Sequence, residues 1–250
     1  MQASKIQHPV LNVTVGGTDT GKRPSCFSLY TDQGFPQTLA SLQFPSDKEI
    51  GKTGDLITVS LSLENETHTL FTGEIYTAGT HGRYRDLFLT DGFKKLCDTR
   101  IIAAYRKEKA TVILQDILGK AGIDKTAVTC PAVEIARFST ESIPANQCIK
   151  QLLKALEEHG HKGLRFFFDA DNTFRFGTAT DTGKNEGKVY DFETRKNIVK
   201  KGDGWIDVFP LPIRHSQEVT VDGVSLIVDR TDMDISGSRS NLRLWLKEAE

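Results

Sequence analysis

From Ile57 to Leu63 the chain alternates strictly: Ile57, Val59, Leu61 and Leu63 fall on one side of a period-two pattern, and Thr58, Ser60 and Ser62 on the other. Only an extended strand sorts these side chains onto opposite faces, and a strand with one apolar face must pair with neighbours and bury that face. The segment enters through Gly54-Asp55 and leaves through Glu64-Asn65-Glu66. A second strand begins near Thr67 and runs through Leu70 and Ile75, so the two read as a hairpin. Shorter strands are predicted at Val10 to Val15, Ser25 to Tyr30, Leu39 to Phe44 and Tyr84 to Leu89, each bounded by Gly, Pro or Asp. Residues 1 to about 92 therefore form an all-β barrel or sandwich.

The period changes between about 93 and 182. Thr111 is placed to cap a helix carrying Val112, Ile113, Ile117 and Leu118, which Gly122 stops. Ser142 and Pro144 suit the first turn of a second helix, in which Ile149, Leu152, Leu153 and Leu156 follow at helical spacing as far as Gly160. Leu164 to Phe168, the turn Asp169-Ala170-Asp171-Asn172 and Thr173 to Phe176 then read as a β-hairpin. The middle third is thus a small α+β module. A Gly- and Lys-rich stretch from about 183 to 206 holds one short strand around Val189 to Phe192. Strands return at Glu218 to Val221, Val224 to Val228 and Leu242 to Leu246, the first two joined by Asp222-Gly223. Gly82 to Leu89 can be laid on Gly237 to Leu244 with a hairpin before each, a faint internal echo.

Charge narrows the partners. Lys and Arg number 32 against 33 Asp and Glu, a net charge of -1. A nucleic-acid binder shows a strong basic excess, so no nucleic acid contact is expected. The N-terminal Met-Gln-Ala-Ser-Lys-Ile lacks the apolar core of a signal peptide, and no run approaches the ~18 apolar residues of a membrane helix. The chain is expected to start in the cytosol with no membrane partner, and Cys26, Cys97, Cys130 and Cys148 to be buried thiols. Asn65-Glu66-Thr67 fits a glycosylation acceptor but reads as a turn in a chain that is not secreted.

Several local signals invite chemistry and have simpler readings. Gly16 to Lys22 contains G-x-x-x-x-G-K, but Arg23 stands where a phosphate loop needs Ser or Thr, and Cys26 to Tyr30 reads as a strand instead of the helix that loop requires. A turn between strands accounts for it, and Gly51 to Asp55 is likewise a turn before a strand. His159 and His161 flank Gly160 at a helix end, where they complement the dipole without a metal. Asp229, Asp232 and Asp234, and the turn acids Asp169 and Asp171, lack the spacing of a calcium loop and read as solvated turns. Phe166-Phe167-Phe168 reads as core. No residue is assigned a catalytic, cofactor-binding or metal-ligating role, and no cofactor is expected.

Three passages resemble the late-control tail protein family, the phage tail baseplate hub proteins, which is also seen as the hub portion of type VI secretion spikes. The first is Leu70-Phe71-Thr72-Gly73-Glu74-Ile75 followed by Arg85 to Asp91. The second is Ala104-Tyr105-Arg106 with Thr111 to Leu118 and Ala121-Gly122-Ile123, similar to a short strand feeding the family's helix. The third is Gln147 to Gly160 with Arg165 to Asp169 and Phe174 to Gly177, similar to the helix and hairpin ending in Phe-Gly. Pro210 to Ile213 and on to Leu246 resembles the closing barrel strands.

The resemblance implies an α+β, mostly β chain with two small tube-type β-barrels, 1–92 and 183–250, separated by an α+β insertion, 93–182. It implies a non-enzymatic structural protein: a homotrimer whose barrels make a pseudo-sixfold ring joining the hexameric tail tube to the trimeric spike. Its expected partners are the tail tube protein, the spike protein and other baseplate proteins, in a virion baseplate or injection-system particle assembled in the bacterial cytoplasm. No lysozyme-like or spike domain is attached, so the spike is expected to be a separate protein. Competing readings are a tail-associated peptidoglycan hydrolase, from the abundance of acids, and a nucleotide binder resting on Gly16 to Lys22.

Overall fold

The computed structural model describes residues 9–45, 50–63, 66–178, 181, 189–237 and 239–248. The chain is α+β and mostly β. It divides into two compact units, one formed by Met1–Asp91 with Asn185–Glu250 and the other by Gly92–Lys184.

The first unit opens with β1 (Val10–Val15), β2 (Thr18–Asp19), β3 (Cys26–Asp32), β4 (Phe35–Pro45), β5 (Leu56–Leu63), β6 (Glu66–His81) and β7 (Tyr84–Thr90). The second unit holds α1 (Phe93–Asp98), β8 (Arg100–Lys109), α2 (Ala110–Lys120), β9 (Thr126–Val128), β10 (Glu134–Pro144), α3 (Ala145–Glu158), β11 (Arg165–Phe168) and β12 (Phe174–Gly177). The chain then returns to the first unit through β13 (Tyr190–Phe192), β14 (Ile198–Gly202), β15 (Trp205–Val208), β16 (Glu218–Val221), β17 (Val224–Ser236) and β18 (Ser240–Glu248).

All strands of the first unit join one 13-stranded sheet in the order β14-β15-β18-β17-β3-β4-β7-β6-β5-β1-β2, with β16 on β17 and β13 on β16. The two ends of the chain meet at β3 and β17, paired antiparallel from Arg230↔Asp32 to Ser236↔Cys26. The predicted alternation is observed: Ile57, Val59 and Leu61 are fully buried, and they share a single core with Phe27, Leu42, Phe44, Phe71 and Leu87 from the N-terminal strands and with Val219, Val228, Leu242 and Leu244 from the C-terminal ones. Each half of the echo falls on a hairpin. Gly82 turns β6 into β7 and Gly237 lies where β17 turns into β18, and Leu87 and Leu242, the residues the alignment superposes, are both wholly buried. Residues 64–65, expected as a turn and holding the Asn of the glycosylation-like tripeptide, and residues 183–188 of the Gly- and Lys-rich stretch lie outside the described residues.

Pro210 to Gln217 carries polar groups inward, and each that is described below has a partner, as buried polar groups require. Arg214 Nη2 donates to Thr38 Oγ1 at 2.7 Å, while the Thr38 backbone N–H donates to Asp91 Oδ2 at 2.8 Å. Thr31 and Thr231, opposite one another where β3 meets β17, share a hydroxyl hydrogen bond of 2.8 Å, and the His215 backbone N–H donates to Thr31 Oγ1 at 3.3 Å.

In the second unit α2 and α3 pack their apolar stripes together with the three-stranded sheet β11-β12-β9. Ile113, Ile117, Ile149, Leu152 and Leu156 are wholly buried beside Phe168, Phe174 and Phe176. Phe168 meets Phe174 edge-on with centroids 5.5 Å apart, a favoured aromatic geometry. The core reading of the Phe166 run thus holds. Both helices end as expected at glycine in the left-handed region. Gly122 has φ +65° and Gly160 φ +89°. Each is followed by the closing hydrogen bond of a Schellman motif, Ile123 N–H to Leu118 O and His161 N–H to Leu156 O, both 3.0 Å.

Some expectations are corrected. The cap of α2 is Lys109 in extended conformation with no side-chain bond, two residues before Thr111, because β8 runs straight into the helix. Pro144 is the cap of α3 and the last residue of β10, not part of the first turn, and Ser142 sits outside the helix at φ +56°. Of the four cysteines only Cys148 is buried; Cys26, Cys97 and Cys130 are half-buried, and all four are free thiols. Asp229, Asp232 and Asp234 all lie within strand β17 instead of in a turn. The long β8·β10 pair, the helix α1 and strands β14 and β15 were not anticipated as such elements.

Gly92 shows how tightly the second core closes. Its φ of -60° suits any residue, but a methyl group on it would overlap the ring of Phe168, which is 1% exposed. Gly92→Ala is expected to cost about 3 kcal/mol by overpacking, and Phe168→Leu in the same chain to restore part of the loss. Thermal denaturation of the two variants checks this; equal melting of Gly92→Ala and the parent refutes it.

Candidate assembly surfaces

The solvent side of the 13-stranded sheet is set by the same period-two rule as its core. Each inward Leu, Val or Phe forces its two neighbours outward, and antiparallel register lines those outward residues up in rows across the strands. One row runs Asp234, Ser28, Ser41, Phe88, Thr77 over β17, β3, β4, β7 and β6. The next runs Arg243, Asp232, Tyr30, Leu39 from β18 to β4 and continues through the buried Thr90 to Glu74 on β6. On β1, β5 and β6 the rows are Asn12, Ser60, Thr69 and Thr14, Thr58, Thr72, an uncharged hydroxyl and amide surface.

Toward the C-terminal edge lies a ladder of alternating rings and guanidinium groups. Trp205 stands opposite Trp245 on β15 and β18. Arg243 lies 4.0 Å over the Trp205 ring and Arg230 lies 3.8 Å over Trp245, both cation–π distances. Arg243 also grips Asp207 with two parallel bonds, Nε to Oδ1 at 2.7 Å and Nη2 to Oδ2 at 2.9 Å. That fork holds the Asp207 carboxyl below the usual carboxylate range, against the opposing push of its own burial. Burial, then the nearby Asp234, raise Asp232 instead.

In the second unit β8 and β10 form a separate two-stranded sheet. Ile102 on β8 is 75% exposed and lies opposite Glu141, and Arg106 lies opposite Arg137. Beneath it Tyr105 hydrogen-bonds Asp116 of α2, which also pairs with Lys120 at 2.6 Å.

The residues singled out from the sequence are not brought together. Gly16 and Gly17, at φ +58° and +80°, make the two-residue turn of the β1–β2 hairpin, with Val15 opposite Thr18. The segment from Thr20 leads to strand β3. That loop therefore leads into a strand and not into a helix, so the nucleotide reading loses its structural requirement. His159 is bound to its own helix end through Nδ1 to Ala155 O at 2.8 Å. Asp169 pairs with Arg175 at 2.5 Å and Asp171 with Lys125 at 2.6 Å, both in the second unit and remote in sequence from β17. Among the described residues no group of three or more His, Cys, Asp or Glu is placed to hold a metal ion. Sequence reasoning missed the Trp-Arg ladder. The alternation of Arg243 with Trp245 was visible, but its partners Trp205 and Arg230 come from other strands.

Sheet, insertion and return together form a fold shared with solved phage tail and type VI secretion proteins. The chain superposes on the 43 kDa tail protein of prophage MuSo2 from Shewanella oneidensis with a TM-score of 0.75, covering 97% of this chain and 98% of that one at 11% identity. A tail protein of Neisseria meningitidis MC58 matches with a TM-score of 0.70 over 97% of both chains at 13% identity. An Escherichia coli component of the type VI secretion system, itself structurally similar to the T4 tail proteins gp27 and gp5, matches with a TM-score of 0.69 at 12% identity, over 95% of this chain and 77% of that one. No family model and no curated protein sequence matches the chain. The likeness is therefore one of fold. Among the described residues no helix is long and apolar enough to cross a membrane.

Proposed function

We propose that this chain is a structural hub subunit of a phage or phage-like contractile tail. In this reading residues 1–92 and 183–250 act as two tube-type barrels and 93–182 as the insertion between them. Three chains close head to tail into a pseudo-sixfold ring that joins a hexameric tail tube to a trimeric spike. The ring's other contacts are further baseplate proteins, and its place is the tail particle, assembled in the bacterial cytoplasm. The observation that carries the reading is the fold likeness to tail proteins over nearly the whole chain. The sequence echo that aligns Leu87 with Leu242, each buried on the second strand of a hairpin, supports the duplication a pseudo-sixfold ring needs. A repeated heterologous interface closes by ordinary packing, so the reading calls for no catalytic group.

Light scattering over a concentration series, with negative-stain images of the same fractions, tests it. Three copies of the 27.8 kDa chain give a particle of about 83 kDa with a central hole. A monomer at every concentration, with and without purified tube and spike proteins, overturns the reading. Peptidoglycan clearing by the purified chain would favour the hydrolase instead.

A further inference from the structure

The N-terminal and C-terminal strands of the first unit repeat one pairing scheme. β6 pairs with β5, breaks register between Ile75 and Thr77, and turns at Gly82 into β7; β17 pairs with β16, breaks register between Val228 and Arg230, and turns at Gly237 toward β18. Laid on one another by the sequence echo, the two hairpins keep the same register. Thr77↔Phe88, Ala78↔Leu87 and Gly79↔Asp86 fall on Asp232↔Arg243, Met233↔Leu242 and Asp234↔Asn241. The match continues two strands outward: β7 pairs with β4 and β4 with β3, as β18 pairs with β15 and β15 with β14. Ser41 opposite Phe88 thus corresponds to Asp207 opposite Arg243, and Ser28 opposite Ser41 to Lys200 opposite Asp207.

The two schemes differ at their edges. Beyond its register break β17 takes β3 as a second partner, with Asp232↔Tyr30, Met233↔Leu29 and Asp234↔Ser28. Among the described residues, the matching stretch of β6, residues 77–81, pairs only with β7, and β14, the counterpart of β3, pairs only with β15. Both stretches are open to solvent: Thr77, Gly79, Thr80 and His81 on β6 and Val199, Lys200 and Lys201 on β14 are exposed. An unpaired strand edge is a template for a strand of another chain.

We propose that β14 of one copy pairs antiparallel with residues 77–81 of β6 in the next copy, repeating between chains the β3·β17 junction made within each. The occupant is a second copy because the fold already joins the counterparts of these two edges. Carried over, the β3·β17 register sets Thr77 opposite Gly202, Ala78 opposite Lys201 and Gly79 opposite Lys200. Each long lysine then faces a residue too small to obstruct it. Lys201 keeps its contact with Asp222 of its own chain at 2.6 Å. The contact is heterologous, one edge against a different one, and such a contact closes into a ring when its rotation closes. The inference rests on the ring reading and adds to it the strands that make the joint and their register.

The test is oxidative cross-linking of the full chain carrying Gly79→Cys with Lys200→Cys. Directly opposed residues of antiparallel strands have Cα atoms about 4.5–5.5 Å apart, a separation that a disulfide spans. A Cβ at Gly79 meets no atom within 4 Å and needs no left-handed backbone, and Lys200 is exposed, so the variant should melt with the parent. The parent with its four free thiols and the two single-cysteine variants set the background. The expected result is reducible dimer and trimer bands in the double variant alone, strongly diminished in His81→Cys with Lys200→Cys, where the pair is displaced by two residues. A parent that is trimeric by light scattering, with a double variant giving no such bands, overturns the pairing and leaves the ring standing. A parent that stays monomeric in every fraction, with and without tube and spike proteins, overturns both. Equal cross-linking by the displaced pair refutes the register, and a reducible shift within the monomer band shows β14 closing on β6 of its own chain, which also overturns the proposal.

Discussion

Gly73→Ala should be the most damaging single methyl group in this protein. Gly73 is buried in β6, and a side chain there would overlap the carbonyl oxygen of Thr90 and the ring of Phe71. The obstacle is backbone, held on both sides by the β6·β7 and β4·β7 ladders through Glu74↔Thr90 and Leu39↔Thr90. It cannot swing aside as a flexible side chain would. The cost should exceed about 4 kcal/mol, the range reserved for severe core conflicts. Trp205 and Trp245 both belong to the first unit, so their emission during urea unfolding reports on it. Gly73→Ala should unfold at markedly lower urea than the parent; an unchanged midpoint would refute the steric argument.

Arg243→Met is the second large effect, and it is electrostatic. Asp207 is 1% exposed, and the Arg243 fork neutralises it. Removing the guanidinium leaves a buried carboxylate without its cation, a loss of about 3–5 kcal/mol. The aliphatic replacement keeps much of the stem that covers Trp205, so the deficit reads the charge more than the packing. The pH dependence has a definite sign. In the parent the folded Asp207 titrates below its unfolded value, so its contribution is fully present above the unfolded value, near pH 4, and drains away as pH falls through the depressed folded value. Arg243→Met should therefore lie far below the parent in stability at pH 7, and the gap should narrow on acidification below about pH 4. Denaturant midpoints across that range decide it, and a gap that is constant with pH would sink the ion-pair account. Asp207→Asn added to Arg243→Met should recover part of the loss, since no buried charge then remains.

How much of this was readable beforehand depended on the range of the interactions involved. The strand Ile57 to Leu63 and the helix from Ile149 to Leu156 were legible because alternation and helical spacing are encoded within a few residues. The glycines Gly122 and Gly160 were legible for the same reason. The pair β8·β10 was not, because Ile102, Ala104 and Arg106 face solvent and the buried residues between them are too few to print a clear period. Thr111 misled as a cap because the β8 backbone enters α2 without needing a side-chain bond. Asp232 and Asp234 were read as turn residues because acids are scarce in strands, yet β17 carries them on the face opposite its buried Met233 and Ile235.

The sequence by itself determined which residues point inward, where the helices stop, that the middle third differs from both ends, and the resemblance to tail hub proteins. These follow from local periodicity and turn chemistry, which act over a handful of bonds. The tertiary structure alone decided that the two ends of the chain share one sheet through β3 and β17, with Thr31 meeting Thr231 across some two hundred residues of chain. It alone brought Trp205, Arg230 and Arg243 into one ladder. Strand pairing of that kind is selected by which buried faces and hydrogen-bonded edges fit together in space, and no short stretch of sequence carries that information.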